Sequence, residues 1–220
     1  MATDPLQTLL FDAPTGAVEQ ACAGAGLAAV IGVDEAGRGP LAGPVTVAAV
    51  LLPLPPPELP EGITDSKLLS EPRRERLAPI LREALAHVVL HAEAEEIDRL
   101  NIRGATLAAM ARAVQSLHAV VACSDALVLV DGRDTLALPR IAQRALVQGD
   151  RRSLAIACAS VIAKTTRDAR MREAEEQYPG YGFARHKGYG TAEHREALAR
   201  LGPTPLHRRS FRWGTGGDGV

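Results

Sequence analysis

Two adjacent carboxylates, Asp34 and Glu35, close an apolar run and stand immediately before a glycine-rich turn, in the string V-I-G-V-D-E-A-G-R-G-P-L-A-G-P-V over residues 30–45. Acids at the end of a buried strand carry a high desolvation penalty unless something compensates their charge. A divalent cation does so, and ligand sets made only of oxygen favour Mg²⁺ or Mn²⁺. Two more acids sit where other apolar segments end: Asp131 after A-L-V-L-V and Asp150 after a run beginning at Arg144. Carboxylates without His or Cys partners suit phosphoryl chemistry, in which paired ions about 3.5–4 Å apart activate a water and stabilise the leaving oxygen. A phosphodiester would also need basic contacts, for which Arg38, Lys67, Lys164 and Lys187 are candidates, with the backbone amides of the glycine turn.

Strand geometry constrains the first pair. Consecutive side chains of a regular strand point to opposite faces. Asp34 and Glu35 can therefore serve one cation only if the strand ends or bulges there, and the glycines that follow are expected to supply that break. The glycines also let a ligand approach the backbone closely. A dinucleotide site is disfavoured. Such a fingerprint needs a strand before its glycines and a helix after them. Here Gly24 and Gly26 precede the strand, and Gly37, Gly39 and Gly43 lead into another apolar run that reads as strand.

The elements that must position these residues follow from periodicity. A short helix is expected over 15–25, then strands over 27–33 and 45–52. A proline-rich loop follows at 54–60. Ser70 is placed as the N-cap of a helix running to about residue 86, and a third strand covers 87–92. An acidic helix over 94–100 and a longer one over 103–118 come next. The continuous apolar run at 126–130 reads as a strand buried on both faces, and 144–147 as a fifth strand. A long helix spans 153–176, a Tyr- and Gly-rich loop 178–190, and a last helix, capped by Thr191, ends at 201. This is an α/β chain with a mixed sheet, whose strand ends carry Asp34, Asp131 and Asp150 to one rim.

Composition sets the outer bounds. The 220 residues suit one domain. Hydrophobic content is 46% but aromatics only 3%, so the core must be built from Ala, Leu, Val and Ile. No apolar run approaches the ~20 residues needed to span a bilayer, and the N-terminus lacks signal-peptide character. The expectation is a cytoplasmic protein. Cys22, Cys123 and Cys158 read as reduced thiols, with Cys158 packed against the sheet. Net charge is −1, but residues 183–213 hold seven Lys/Arg against two Glu, a basic segment able to track phosphates.

The chain resembles the bacterial ribonuclease HII family. The resemblance is carried by G-V-D-E-A-G-R-G-P-L-A-G-P-V (32–45), I-T-D-S-K-L-L-S (63–70), N-I-R-G-A-T-L-A-A-M (101–110) and V-L-V-D-G (128–132). G-D-x-x-S-L-A-I-A-C-A-S-V-I-A-K-T-T-R-D (149–168), Y-P-G-Y-G-F-A-R-H-K-G-Y-G-T (178–191) and H-R-R-S-F (207–211) complete it. It implies an RNase H-like fold with a five-stranded mixed sheet, three strands antiparallel and two parallel, flanked by helices, and a small C-terminal helical segment. Residues 28–213 would form the catalytic domain, behind an N-terminal lead-in (1–27) and before a flexible tail (214–220).

The resemblance further implies a Mn²⁺- or Mg²⁺-dependent endonuclease acting on the RNA strand of RNA–DNA hybrids. Such an enzyme also cuts 5′ of single ribonucleotides embedded in duplex DNA, leaving 5′-phosphate and 3′-hydroxyl ends. Asp34, Glu35, Asp131 and Asp150 would be catalytic and metal-binding. Gly37, Arg38 and Gly39 would sense the 2′-hydroxyl with Tyr189, and Lys67, Lys164 and Lys187 would contact substrate. Asp168 is expected to be structural, paired with a neighbouring base, and the protein to be a monomer. Ribonuclease HIII ranks lower because the G-R-G turn is intact. A non-catalytic binding module on the same fold ranks lower because all four acids are present.

Overall fold

The computed structural model describes residues 14–121 and 125–213. Its centre is a five-stranded sheet in the order β3-β2-β1-β4-β5. The strands are β1 (Ala29–Ala36), β2 (Val45–Pro53), β3 (His87–Ala92), β4 (Ala126–Asp131) and β5 (Gln143–Leu146). β1, β2 and β3 form an antiparallel meander, while β4 runs parallel to β1 and β5 parallel to β4. The expected sheet is therefore the observed one. β2, β1 and β4 are its inner strands, and their sequences are almost continuously apolar: a strand covered on both faces has no polar side to alternate with.

Each face is closed by a long helix. α4 (Leu154–Gln177) lies over β1 and β2 with every residue from Ala155 to Ala163 buried. That half of the helix is mostly Ala and other small residues, so its backbone comes unusually close to the sheet. A Cβ built on Gly32 of β1 would lie 2.2 Å from the Ala155 carbonyl carbon. Cys158 sits in this layer, fully buried, as expected. Cys22 is free and buried, whereas Cys123 falls outside the described residues.

The opposite face is covered by α3 (Ala94–Val121), through Ile97, Ala105, Ala109, Ala113 and Leu117. The expected break between two helices here appears as a single non-helical residue, Asn101, at φ 57°. Its Oδ1 accepts from the Gly104 amide at 3.0 Å and so caps the second part from inside the run. α1 (Ala17–Gly24) and α2 (Glu71–Ala84) flank the α4 side.

The anticipated side-chain cap at Ser70 is not made. Pro72 removes one of the amides that a cap would bind, and the Arg73 amide goes to the Ser70 carbonyl instead. A third cluster joins the start of β2 to α5 (Phe183–His186) and α6 (Ala192–Leu201), through Ala42, Met171, Phe183, Ala197 and Leu198. Thr191 caps α6 as expected, accepting from the His194 amide. No helix among the described residues is long and apolar enough to cross a membrane.

Candidate active site

β1 does not break at its acids. Its pairing with β2 continues in register through Glu35↔Val47 to Ala36↔Thr46, so the expected bulge is absent. Only the partnership with β4 stops, after Val33↔Val130. Alternation therefore holds, and the two acids take opposite faces. Asp34 follows Gly32 onto the α4 face; Glu35 follows Val33 onto the α3 face. Asp131 ends β4 one step beyond the last β1–β4 pair, on the same face as Leu129 and hence as Asp34. It reaches both neighbours because β1 and β4 part at that point. Asp150 arrives from the 3₁₀ turn Gly149–Arg151 that follows β5.

Local hydrogen bonds lock this rim. The Gly149 amide donates to Asp131 Oδ1 at 2.7 Å, so the loop that carries Asp150 is tied to the β4 acid. Asp34 Oδ1 accepts from the Glu35 amide at 2.7 Å, and the Asp34 carboxyl also accepts from the Ser160 hydroxyl of α4. Ser160 Oγ in turn accepts from the Ser66 amide at 3.4 Å and lies 2.9 Å from Ser66 Oγ. That contact anchors the 65–67 loop, where the Lys67 amide donates to Asp65 at 2.9 Å.

The acids are crowded and dry. Asp34 is 4% exposed. Burial first, then Glu35 and Asp131, holds its carboxyl well above the ordinary carboxylate range. Glu35 is raised by burial and Asp131, with Arg38 opposing at 3.4 Å. Burial also raises Asp131, against its amide donors and Lys67. Asp150 is pushed up to about 7 by burial, Asp131 and Asp65. Partial burial works against the Lys67 ammonium, but Asp65, Asp34, Asp150 and Asp131 outweigh it and raise its pKa. Lys67 thus faces the cluster, while Arg38 pairs with Glu35 at its edge. Asp65, which pairs with Asp150, is a fifth acid that sequence reading passed over although it stands two residues before Lys67.

The other two lysines are engaged elsewhere. Lys164 Nζ binds both oxygens of Asp168 at 2.5 and 2.7 Å, with Arg74 at 3.6 Å completing the group. Asp168 is accordingly paired with basic neighbours, as expected. Lys187 Nζ donates to the Ala184 carbonyl and lies 3.5 Å from Glu71. Arg38 is exposed at the rim. Tyr189 is 47% exposed, and a Cβ on Gly39 would lie 3.6 Å from its ring, so ring and glycine turn form one surface.

A conjugated pair of histidines holds the Tyr189 backbone. The Thr204 amide donates to His207 Nδ1 at 2.9 Å, so the His207 proton belongs on Nε2, which faces His194 Nε2 at 3.1 Å. His194 then carries its proton on Nδ1 and donates to the Tyr189 carbonyl at 2.9 Å. A second proton on either ring sets two N–H groups head to head. Burial lowers both histidines, His207 to about 4 with His194 contributing. These folded values lie below the unfolded one, so the unfolded chain takes up more protons as the pH falls, and stability is lost between about 6.5 and 4. The raised acids push the other way. The difference between wild type and His207→Gln isolates the pair: the wild-type melting temperature should lose roughly 5 °C relative to the variant across that window. Parallel melting curves at every pH would reject the assignment.

The family model described as Ribonuclease HII matches residues 31–213. The chain belongs to the ribonuclease HII family. A curated Ribonuclease HII from Halorhodospira halophila is 57% identical over 188 residues, covering 83% of this chain and 91% of its own. The crystal structure of the ribonuclease H2 from Pyrococcus horikoshii OT3 superposes with a TM-score of 0.67 at 24% identity, covering 84% of this chain and 94% of its own. Bst-RNase HIII, solved in complex with Mn²⁺, gives 0.68 at 21% identity and covers 84% and 67%. At those identities the two structures speak for the fold, and it is the RNase H-like one. The enzyme is an RNase H endonuclease, a hydrolase.

A divalent cation fits the chemistry of the rim. Burial and mutual repulsion keep its acids short of charge, which is the condition a cation relieves. Among the described residues no three His, Cys, Asp or Glu side chains already converge on one point.

Proposed function

We propose that this enzyme is a Mg²⁺- or Mn²⁺-dependent endonuclease that cuts RNA in RNA–DNA hybrids and incises duplex DNA 5′ of an embedded ribonucleotide. The observation that carries this reading is one rim holding the four acids, Lys67, the glycine turn and Tyr189. Asp34 and Asp131, on one face of adjacent strands, would be the principal ligands, with Glu35 and Asp150 completing the set. A cation held there would supply a nucleophilic water near neutral pH and charge relief at the leaving oxygen. Lys67 balances the acid cluster and meets the phosphate.

Amides at Gly37–Gly39 donate to the 2′-hydroxyl, the group that separates RNA from DNA, and the Tyr189 ring packs on the neighbouring sugar. The basic 183–213 segment follows the duplex backbone. Lys164, through Asp168 and Arg74, and Lys187, through Glu71, act by tying their segments to α2. The enzyme works as a cytoplasmic monomer.

The test is a labelled DNA duplex with one ribonucleotide, alongside a uniform hybrid, in Mg²⁺, Mn²⁺ and EDTA. Metal-dependent cuts 5′ of the ribonucleotide, leaving 5′-phosphate and 3′-hydroxyl ends, are expected. Tight binding with no cut in either metal would leave only a binding module. Cutting of the hybrid alone would remove the roles given to Gly37, Arg38, Gly39 and Tyr189.

A further inference from the structure

The glycine turn is gripped from beneath by an arginine delivered from much later in the chain. Arg208 is fully buried. Its Nε donates to the Gly43 carbonyl at 3.0 Å, Nη1 to that of Arg38 at 2.8 Å, and Nη2 to those of Gly37 at 2.5 Å and Gly43 at 2.8 Å. The Phe211 ring packs against the guanidinium, 5.1 Å from its carbon. Arg208's own amide donates to the Leu41 carbonyl at 2.9 Å. A buried guanidinium needs nearly all its donors met, and here main-chain oxygens of one turn meet them.

The consequence lies on the other side of the peptide planes. In a trans peptide the C=O and the N–H point in opposite directions. With the Gly37 and Arg38 oxygens drawn inward to Arg208, the amides of Arg38 and Gly39 are turned outward, away from it. Neither amide has an acceptor among the described residues. Two oriented, unused donors beside an exposed tyrosine ring are what a sugar hydroxyl or phosphate oxygen would meet.

We propose that Arg208 is a positioning residue that sets ribose-over-deoxyribose discrimination, by fixing the Arg38 and Gly39 amides outward. The proposal rests on the reading that these amides meet the 2′-hydroxyl. Lysine retains the charge at this position but offers one point of donation, not a fork spanning three carbonyls.

The experiment uses the full chain carrying Asp131→Asn, so that substrate stays intact. Affinities are measured for a DNA duplex with one ribonucleotide and for the same duplex all in DNA, with and without Arg208→Lys. Amide hydrogen exchange over residues 37–43 is followed in parallel. The expected result is a preference for the ribonucleotide duplex that falls about tenfold with Arg208→Lys, while affinity for plain DNA holds and exchange accelerates in the turn. Phe211→Leu, which removes only the ring beside the guanidinium, should give a milder form of the same change and serves if the lysine variant does not fold. Equal loss for both duplexes marks Arg208 as merely structural and overturns the proposal, as does an unchanged ratio. A parent protein with no preference, whose exchange nevertheless responds to Arg208→Lys, overturns the 2′-hydroxyl reading and the discrimination claim with it.

Discussion

Asp131→Asn should reduce metal-dependent cleavage on the order of 10³-fold while raising the melting temperature in EDTA. The two effects share one cause. Asp131 is the acid that Asp34, Glu35 and Asp150 all feel as a repulsive charge. Asparagine keeps an oxygen for the Gly149 amide, so the tie to the 149–151 turn survives. It removes the charge that a cation would need, which eliminates most of the transition-state stabilisation expected of a metal site. Without metal, removal of a like charge from a buried cluster relieves strain held for function. About 1 kcal/mol of relief corresponds to roughly 2–4 °C for a chain this size. Added Mg²⁺ or Mn²⁺ should stabilise wild type more than the variant. The check is a pair of melts, with EDTA and with cation, beside the cleavage rate. A variant that is inactive but destabilised, with its response to cation undiminished, would place Asp131 outside the metal site.

The second large effect belongs to a residue with no chemistry. Gly32→Ala should destabilise the protein by about 3 kcal/mol. Its Cβ would meet Ala155 C at 2.2 Å and the Ala155 oxygen and Ile156 nitrogen at 2.4 Å. Those are main-chain atoms at the start of α4 and cannot rotate aside, so the helix must move. The same helix carries Ser160, which bonds Asp34, and Ser66 hangs from Ser160. Displacement of α4 would therefore misalign an acid and the Lys67 loop together, and activity should fall further than the melting temperature accounts for. Gly24→Ala is the control, since no atom lies within 4 Å of a Cβ built there. If both variants melt alike, the close approach is not what limits this packing.

Several of these features were readable before any coordinates. A continuous apolar run predicts an inner strand, and the runs at β1 and β4 end in Asp34 and Asp131, which the sheet brings to one rim. What misled was the expectation that adjacent acids need a broken strand. Pairing to β2 and pairing to β4 are independent, and only the second stops at Asp34. Lys164 and Lys187 show another limit: a lysine in a motif carries its charge in the sequence but not its partner, and Asp168 and Glu71 take them. Asp65 was legible as an acid beside Lys67, but its contact with Asp150 needs the 63–70 loop to lie against the turn after β5. Arg208 stood in the sequence only as part of H-R-R-S-F, without a role, because carbonyl acceptors exist at every residue and only the fold shows which ones converge.

The parallel pairing of Ala29 with Ala126 has a consequence for the order of folding. β1 and β2 are joined by the short 37–44 connection and can pair early, and β3 adds after the 54–86 segment that carries α2. β4 must close a much longer loop before it gains anything from β1. The acids therefore come together late, after most of the apolar surface is already buried, and repulsion among them falls on the final steps. On this view the catalytic rim adds little to the barrier of early collapse. Neutralising an acid there should slow unfolding more than it speeds refolding.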